Sequence, residues 1–205
     1  MSMRTLIVIL ASLAIRSLPS QAQDLRGEVR VRGEPLANAV VFLVPAADSA
    51  AAVAPVRARL DQRGLSFVPR VLVVTPGSIV EFPNSDPVMH NVFHPGEPGT
   101  GFDLGTYSSS EEKTHRFDAP GLFVLLCHVH PEMVGYVAVV PSALHAVTGE
   151  DGAFQVTSAP PGQYQLHAWH RRIEDPSIRV TVPESGTAAP VVVNASRRSS
   201  RRKLP

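Results

Sequence analysis

Valine-rich runs cut short by proline and glycine leave this chain little room for helix. Nineteen prolines and fourteen glycines punctuate its 205 residues, and both residue types interrupt helices and mark turns. The runs between them alternate in polarity or stay apolar over lengths that suit strands. No convincing amphipathic helix is apparent after the N-terminal leader. Residues 25–44 predict two strands around a turn at 33–35, and 45–55 reads as an exposed loop. Further strands are expected at 64–67, 71–75, 78–82, 90–93, 113–117, 121–127 and 134–140. Beyond a linker at 141–145, strands are expected at 153–156, 163–170, 177–182 and 190–193. Many short strands with such punctuation predict an all-β fold of sandwiches.

The N-terminus has the form of an export signal. Arg4 is followed by an apolar core over 6–15, then by the small residues Ser20 and Ala22. A leader of residues 1–22 predicts a mature chain starting near Gln23, periplasmic or secreted, with no membrane span after cleavage. Setting aside Arg4 and Arg16, 17 basic residues face 18 acidic ones. Five of the basic residues (Arg197, Arg198, Arg201, Arg202 and Lys203) lie in the last ten positions. An acidic body with a short basic tail does not carry a nucleic-acid footprint. That tail, 195–205, has too little apolar content to fold and is expected to be disordered.

Cys127 is the one cysteine, so no intramolecular disulfide can form. A lone thiol in an oxidising compartment needs burial or a metal to escape oxidation. It opens the run Cys127-His128-Val129-His130-Pro131-Glu132-Met133, directly after an apolar strand. Thiolate, imidazole and thioether thus recur at every third position on a loop that can fold around one point. These soft and borderline donors select copper, and two histidines, a cysteine and a weak axial methionine make an electron-transfer site. The second histidine must come from elsewhere, and His90 in Met89-His90-Asn91-Val92 supplies it. Zinc accepts Cys and His but takes Met poorly as a fourth ligand. His128, beside Cys127 on an extended backbone, should point to the opposite side. His94, four residues past His90, is expected on the following loop, where a second-metal role stays open, while His115, His145, His167 and His170 lack neighbouring ligand types and are expected at surface or strand positions.

Residues 64–140 resemble the cupredoxins of the plastocyanin and amicyanin kind. The likeness rests on the strand pair Val74–Phe82, the turn Asn84-Ser85-Asp86, the His90-Asn91-Val92 triplet and the closing Cys-x2-His-x2-Met loop. The resemblance implies a Greek-key β-sandwich holding one mononuclear type 1 copper. His90, Cys127 and His130 would be its equatorial ligands and Met133 the long axial one. It implies that Asn91 hydrogen-bonds near the cysteine and ties two loops together. Pro131, directly after His130, is placed as on the short amicyanin loop. It also implies His130 as the electron port, within an apolar docking patch.

Residues 146–183 resemble the carboxypeptidase regulatory-like, transthyretin-like β-sandwich, through Asp151-Gly152-Ala153-Phe154 and Pro161-Gly162-Gln163-Tyr164-Gln165-Leu166. That family's opening strand pair is missing before Ala146, but Gly27-Glu28-Val29 and Gly33-Glu34-Pro35-Leu36-Ala37-Asn38-Ala39-Val40 match it. A second small β-sandwich of residues 25–45 with 146–194 is therefore expected, unless 25–45 joins the copper unit's sheet. The functional expectation is an exported blue-copper electron carrier exchanging electrons with redox protein partners, and not an enzyme. Copper delivery without redox turnover, or a plain exported binding module, stays open at this level.

Overall fold

The computed structural model describes residues 21–46, 53–96, 100–185 and 187–198. The leader through residue 20 and residues 199–205 of the tail lie outside the described residues. The first strands are β1 (Gln23–Val31), β2 (Glu34–Pro35), β3 (Val40–Pro45), β4 (Arg57–Arg59), β5 (Asp61–Gln62) and β6 (Phe67–Val68). Next come β7 (Val71–Val74), β8 (Ser78–Pro83), β9 (His90–His94), β10 (Phe102–Tyr107), β11 (Glu112–Phe117) and β12 (Gly121–Leu126). The last are β13 (Val134–Val139), β14 (His145–Val147), β15 (Ala153–Ala159), β16 (Gly162–Trp169), β17 (Ser177–Val182) and β18 (Val191–Ala195). The fold is all-β, with no helix among the described residues. It follows that no described helix is long and apolar enough to cross a membrane.

Four of the five sheets stack in layers, the fifth being the two-stranded β5-β6 pair. Strands β15-β1-β18, with β2 at the side, form the outermost layer, and β14-β3-β16-β17 the next. The third is β10-β9-β12-β13-β7 and the fourth β11-β8-β4. Three cores fill the spaces between them, and the two-residue period of a strand decides which core each side chain joins. In β3, Val41 and Leu43 face the outer core with Leu25, Val29, Val156 and Leu166. Val40 and Phe42 point the other way, toward Val71, Tyr136 and Ala138 of the third sheet. Burial on both faces is why Val40-Val41-Phe42-Leu43-Val44 is an unbroken apolar run. Strand β12 divides likewise. Leu122 and Val124 join the seam, while Phe123, Leu125 and the following Cys127 join the core between sheets three and four.

Local chemistry sets the connections. Arg32 (φ 55°) and Gly33 (φ 85°) both take left-handed backbone between the paired Val31 and Glu34. That is the two-residue hairpin turn whose twist matches its strands. Among the described residues, β1 and β3 pair with strands from β14 onward and with none of β4–β13. The sandwich of sheets three and four is thus inserted between β3 and β14.

Several elements differ from expectation, among them a strand at Phe67–Val68 where the sequence predicts 64–67 and one at His145–Val147 beyond the linker. The inserted sandwich begins before residue 64, because β4 pairs in parallel with β8 through Arg57 and Ile79. Arg57-Ala58-Arg59 is an edge strand with two exposed arginines, so it carries little hydrophobic signal. Strand β10 is also additional, since Gly105 interrupts its pattern. Apolar content predicts that residues 195–198 open the disordered tail. Instead Ala195 ends β18, Arg197 bridges Ile173, and the Arg198 N–H donates to Arg172 O at 2.8 Å. Backbone pairing holds this segment where side-chain apolarity alone predicts no structure.

Candidate metal centre

Two connections at one end of the inserted sandwich bring the donor groups together. Cys127 leaves β12 at Leu126, whose partner across the sheet is Phe93 of β9. This pairing sets the cysteine beside the start of β9, where His90 and Asn91 lie. A tight turn then returns the chain, with Met133 N–H donating to His130 O at 3.0 Å. Pro131 occupies the second position of that turn, which its fixed φ favours, and it is exposed.

The Cys127 sulfur and one ring nitrogen each of His90 and His130 lie within 4.8 Å of one another. His90 is fully buried, Cys127 is 3% exposed, and His130 is half-buried. The two Nδ1 atoms stand 3.1 Å apart. Two nitrogens each about 2.0–2.1 Å from one ion subtend roughly 100° at such a separation. Met133, 1% exposed, packs in the same core as Cys127. Two imidazoles, one thiol and a buried thioether fit a copper ion better than any hard cation.

The tautomer of His90 is set from behind. Its Nε2 faces Asp86 Oδ2 at 2.9 Å, and a carboxylate there takes the N–H and leaves Nδ1 as a lone pair. Asp86 is itself anchored by the N–H groups of Gly64 (2.7 Å) and Leu65 (2.9 Å). Left-handed backbone at Gly64 (φ 61°) and Leu65 (φ 54°) turns both N–H groups the same way, forming a small anion nest. Burial opposes ionisation of Asp86, but those two N–H groups and His90 outweigh it and hold the carboxyl below its ordinary value. In the sequence Asp86 stands out only as part of the Asn84-Ser85-Asp86 turn. Its position four before His90 was the available signal.

Asn91 is the second organiser. Its backbone N–H points at Cys127 Sγ at 3.4 Å, and its Oδ1 accepts the His128 N–H at 3.3 Å. Its Nδ2 donates to Asp103 Oδ1 (2.6 Å) and Gly105 O (3.0 Å) on β10. Gly105 (φ 73°) turns back so that its own N–H also reaches Asp103, at 2.9 Å. The Gly105 N–H lowers the Asp103 carboxyl most, against burial, with Asn91 and His128 adding to it. No local pattern marks Asp103, because Gly105 breaks the alternation of its strand.

The remaining histidines stand apart from this cluster. His128 is exposed, stacked on Phe93 at 3.7 Å and 3.4 Å from Asp103. His94 holds Val124 O through Nδ1 at 2.8 Å, and His115 stacks on Phe102. His145 lies on β14, and His167 stacks on Phe42 in the seam. Met89, the other methionine near the site, is 52% exposed. Val88, Val129 and Leu65 are exposed apolar side chains as well, the first two within two positions of a donor histidine.

No protein-family model matches the chain, and no curated protein matches it. Several solved structures are similar over about half of it. A Cu-containing nitrite reductase from Thermus scotoductus SA-01 is 28% identical over 47% of this chain and 25% of its own, with a TM-score of 0.39. The chain therefore spans a quarter of that enzyme's length. A purple cupredoxin from Nitrosopumilus maritimus is 23% identical over 40% of this chain and 99% of its own, TM-score 0.37. A reduced Cu(I) amicyanin variant is 22% identical over 49% and 98%, TM-score 0.39.

Proposed function

We propose that this chain is an exported blue-copper protein that carries electrons, holding one copper ion through His90, Cys127, His130 and Met133. The observation that carries the reading is the convergence of the Cys127 sulfur and the two imidazoles, drawn from connections some forty residues apart. Bound copper would supply one-electron chemistry that no side chain here supplies alone. The chain's own groups hold the donors still. Asp86 orients His90, Asn91 donates toward the cysteine sulfur, and the Pro131 turn presents His130. A donor set fixed by a sheet and two loops rearranges little between oxidation states, as rapid electron exchange needs. Four protein donors leave no open position for substrate, so carriage and not catalysis is proposed.

His130 supplies the route outward. Its ring is half-buried while the other donors are buried, and the exposed Val88, Met89 and Val129, each within two positions of His90 or His130, form the proposed apolar rim. Such a rim suits transient docking of a redox protein, and the leader-like N-terminus suits a periplasmic or secreted place for that exchange. The test is voltammetry of the copper-loaded full chain. One reversible one-electron wave per protein supports the carrier. Tight Cu(I) binding with no accessible Cu(II) state, and ready transfer to a chelator, would replace it with copper delivery.

Two variants probe the assignments. Met133→Leu should keep the visible colour and raise the potential, because a weak thioether donor to the oxidised ion is lost. An unchanged potential would remove Met133 from the donor set. Asp86→Ala should weaken copper uptake about 10–100-fold, the usual effect of removing a group that orients a ligating histidine. Competition against a chelator measures it, and unaltered affinity would show that Asp86 does not position His90.

A further inference from the structure

The seam between the second and third sheets opens at one edge into a cleft of about 360 Å³, within the size range of small-molecule sites. Its floor is apolar: Leu122 and Val124 of β12, Trp169 at the end of β16, and Ile173. Three of these belong to the seam core as partly buried members, so the packing between the sheets is left incomplete there. The rim differs from the floor. Arg171 and Arg198 line it against one carboxylate, Asp175, which lies 3.5 Å from His167 Nδ1. The Arg198 Nε–H donates to Ile173 O at 3.3 Å, fixing its guanidinium beside the opening. The Arg171 guanidinium makes no hydrogen bond or ion pair among the described residues.

His170 completes the rim. Burial, with the charges of Arg172, Arg171 and Arg70, pushes its pKa down to about 4, so the ring is neutral near pH 7. Its Nδ1 accepts the Arg172 N–H at 3.1 Å, so the one ring proton resides on Nε2. The cleft therefore presents two guanidiniums and an imidazole N–H over an apolar floor, with the Asp175 carboxylate as its one acidic group and that group engaged with His167. An occupant complementary to this must accept hydrogen bonds, carry negative charge and bring an apolar body.

We propose that this cleft is a binding site for a small organic carboxylate, its head on Arg171 and Arg198 and its body against Trp169. The site lies on the face of β12 away from Cys127, and the proposal does not rest on the copper reading. Trp169 is the only tryptophan, so its fluorescence reports the cleft directly. The experiment titrates cyclohexanecarboxylate into the full chain, with its neutral carboxamide and inorganic phosphate as controls and calorimetry as a second readout. Expected is a saturable response to the carboxylate, at least about tenfold weaker for either control and for Arg171→Gln/Arg198→Gln. Both arginines are exposed, so this variant should keep the parent's unfolding midpoint. Arg171→Gln alone repeats the test if the double variant unfolds early. The proposal is overturned by the absence of saturable binding in both readouts. Equal affinity for the carboxamide, for phosphate or in the variants also overturns it.

Discussion

Replacing Cys127 with serine should abolish the intense visible absorption of the copper(II)-loaded protein. In the proposed site that colour would arise from charge transfer between a thiolate sulfur and the metal, and a serine hydroxyl near neutral pH offers neither the sulfur nor the charge. Copper affinity should fall by more than the roughly 10–100-fold expected for residues that only orient a ligand. Cys127 is 3% exposed in an apolar core, so the new hydroxyl also costs about 1–3 kcal/mol if it finds no partner. Thermal unfolding of the metal-free variant measures that cost separately. A loss of colour in a protein that still unfolds cooperatively identifies the sulfur as donor. Retained colour would show that the absorbing centre lies elsewhere.

The second large effect is structural. Phe42 is 2% exposed, stacked on His167 with ring centroids 5.0 Å apart and edge-on to Trp169 at 4.8 Å. It is the largest apolar side chain that β3 sends into the seam between the two sandwiches. Phe42→Ala should cost about 3–5 kcal/mol, a large share of the about 5–15 kcal/mol that domains of this kind possess. Denaturant titration of the full chain measures it. Copper uptake at low denaturant should persist, since the donor cluster lies on the far face of the third sheet. A loss below about 1 kcal/mol would contradict close packing across the seam.

The sequence reveals some of this clearly and other parts not at all. The gathering of Cys127 and His130 is legible because one loop carries soft and borderline donors at regular spacing. His90 is legible among eight histidines only through the His90-Asn91-Val92 triplet and the cupredoxin resemblance it carries. Asp86 is not, because a carboxylate in an Asn-Ser-Asp turn has an ordinary local explanation as a turn former. Its role depends on the nest at Gly64 and Leu65, some twenty residues away, which no local pattern encodes. Strand β3 announces burial on both faces through its continuous apolar run. What covers the second face, the Val71, Tyr136 and Ala138 surface, depends on how two sandwiches stack. Polar edge strands such as Arg57–Arg59 leave almost no trace, since their pairing is made by backbone groups every residue possesses.

The most direct measurement is X-ray absorption at the copper edge of the stoichiometrically loaded full chain. The account predicts one sulfur at short distance and two imidazole nitrogens around each ion, with the sulfur shell absent in Cys127→Ser. A loaded protein whose copper has only nitrogen and oxygen neighbours would contradict it.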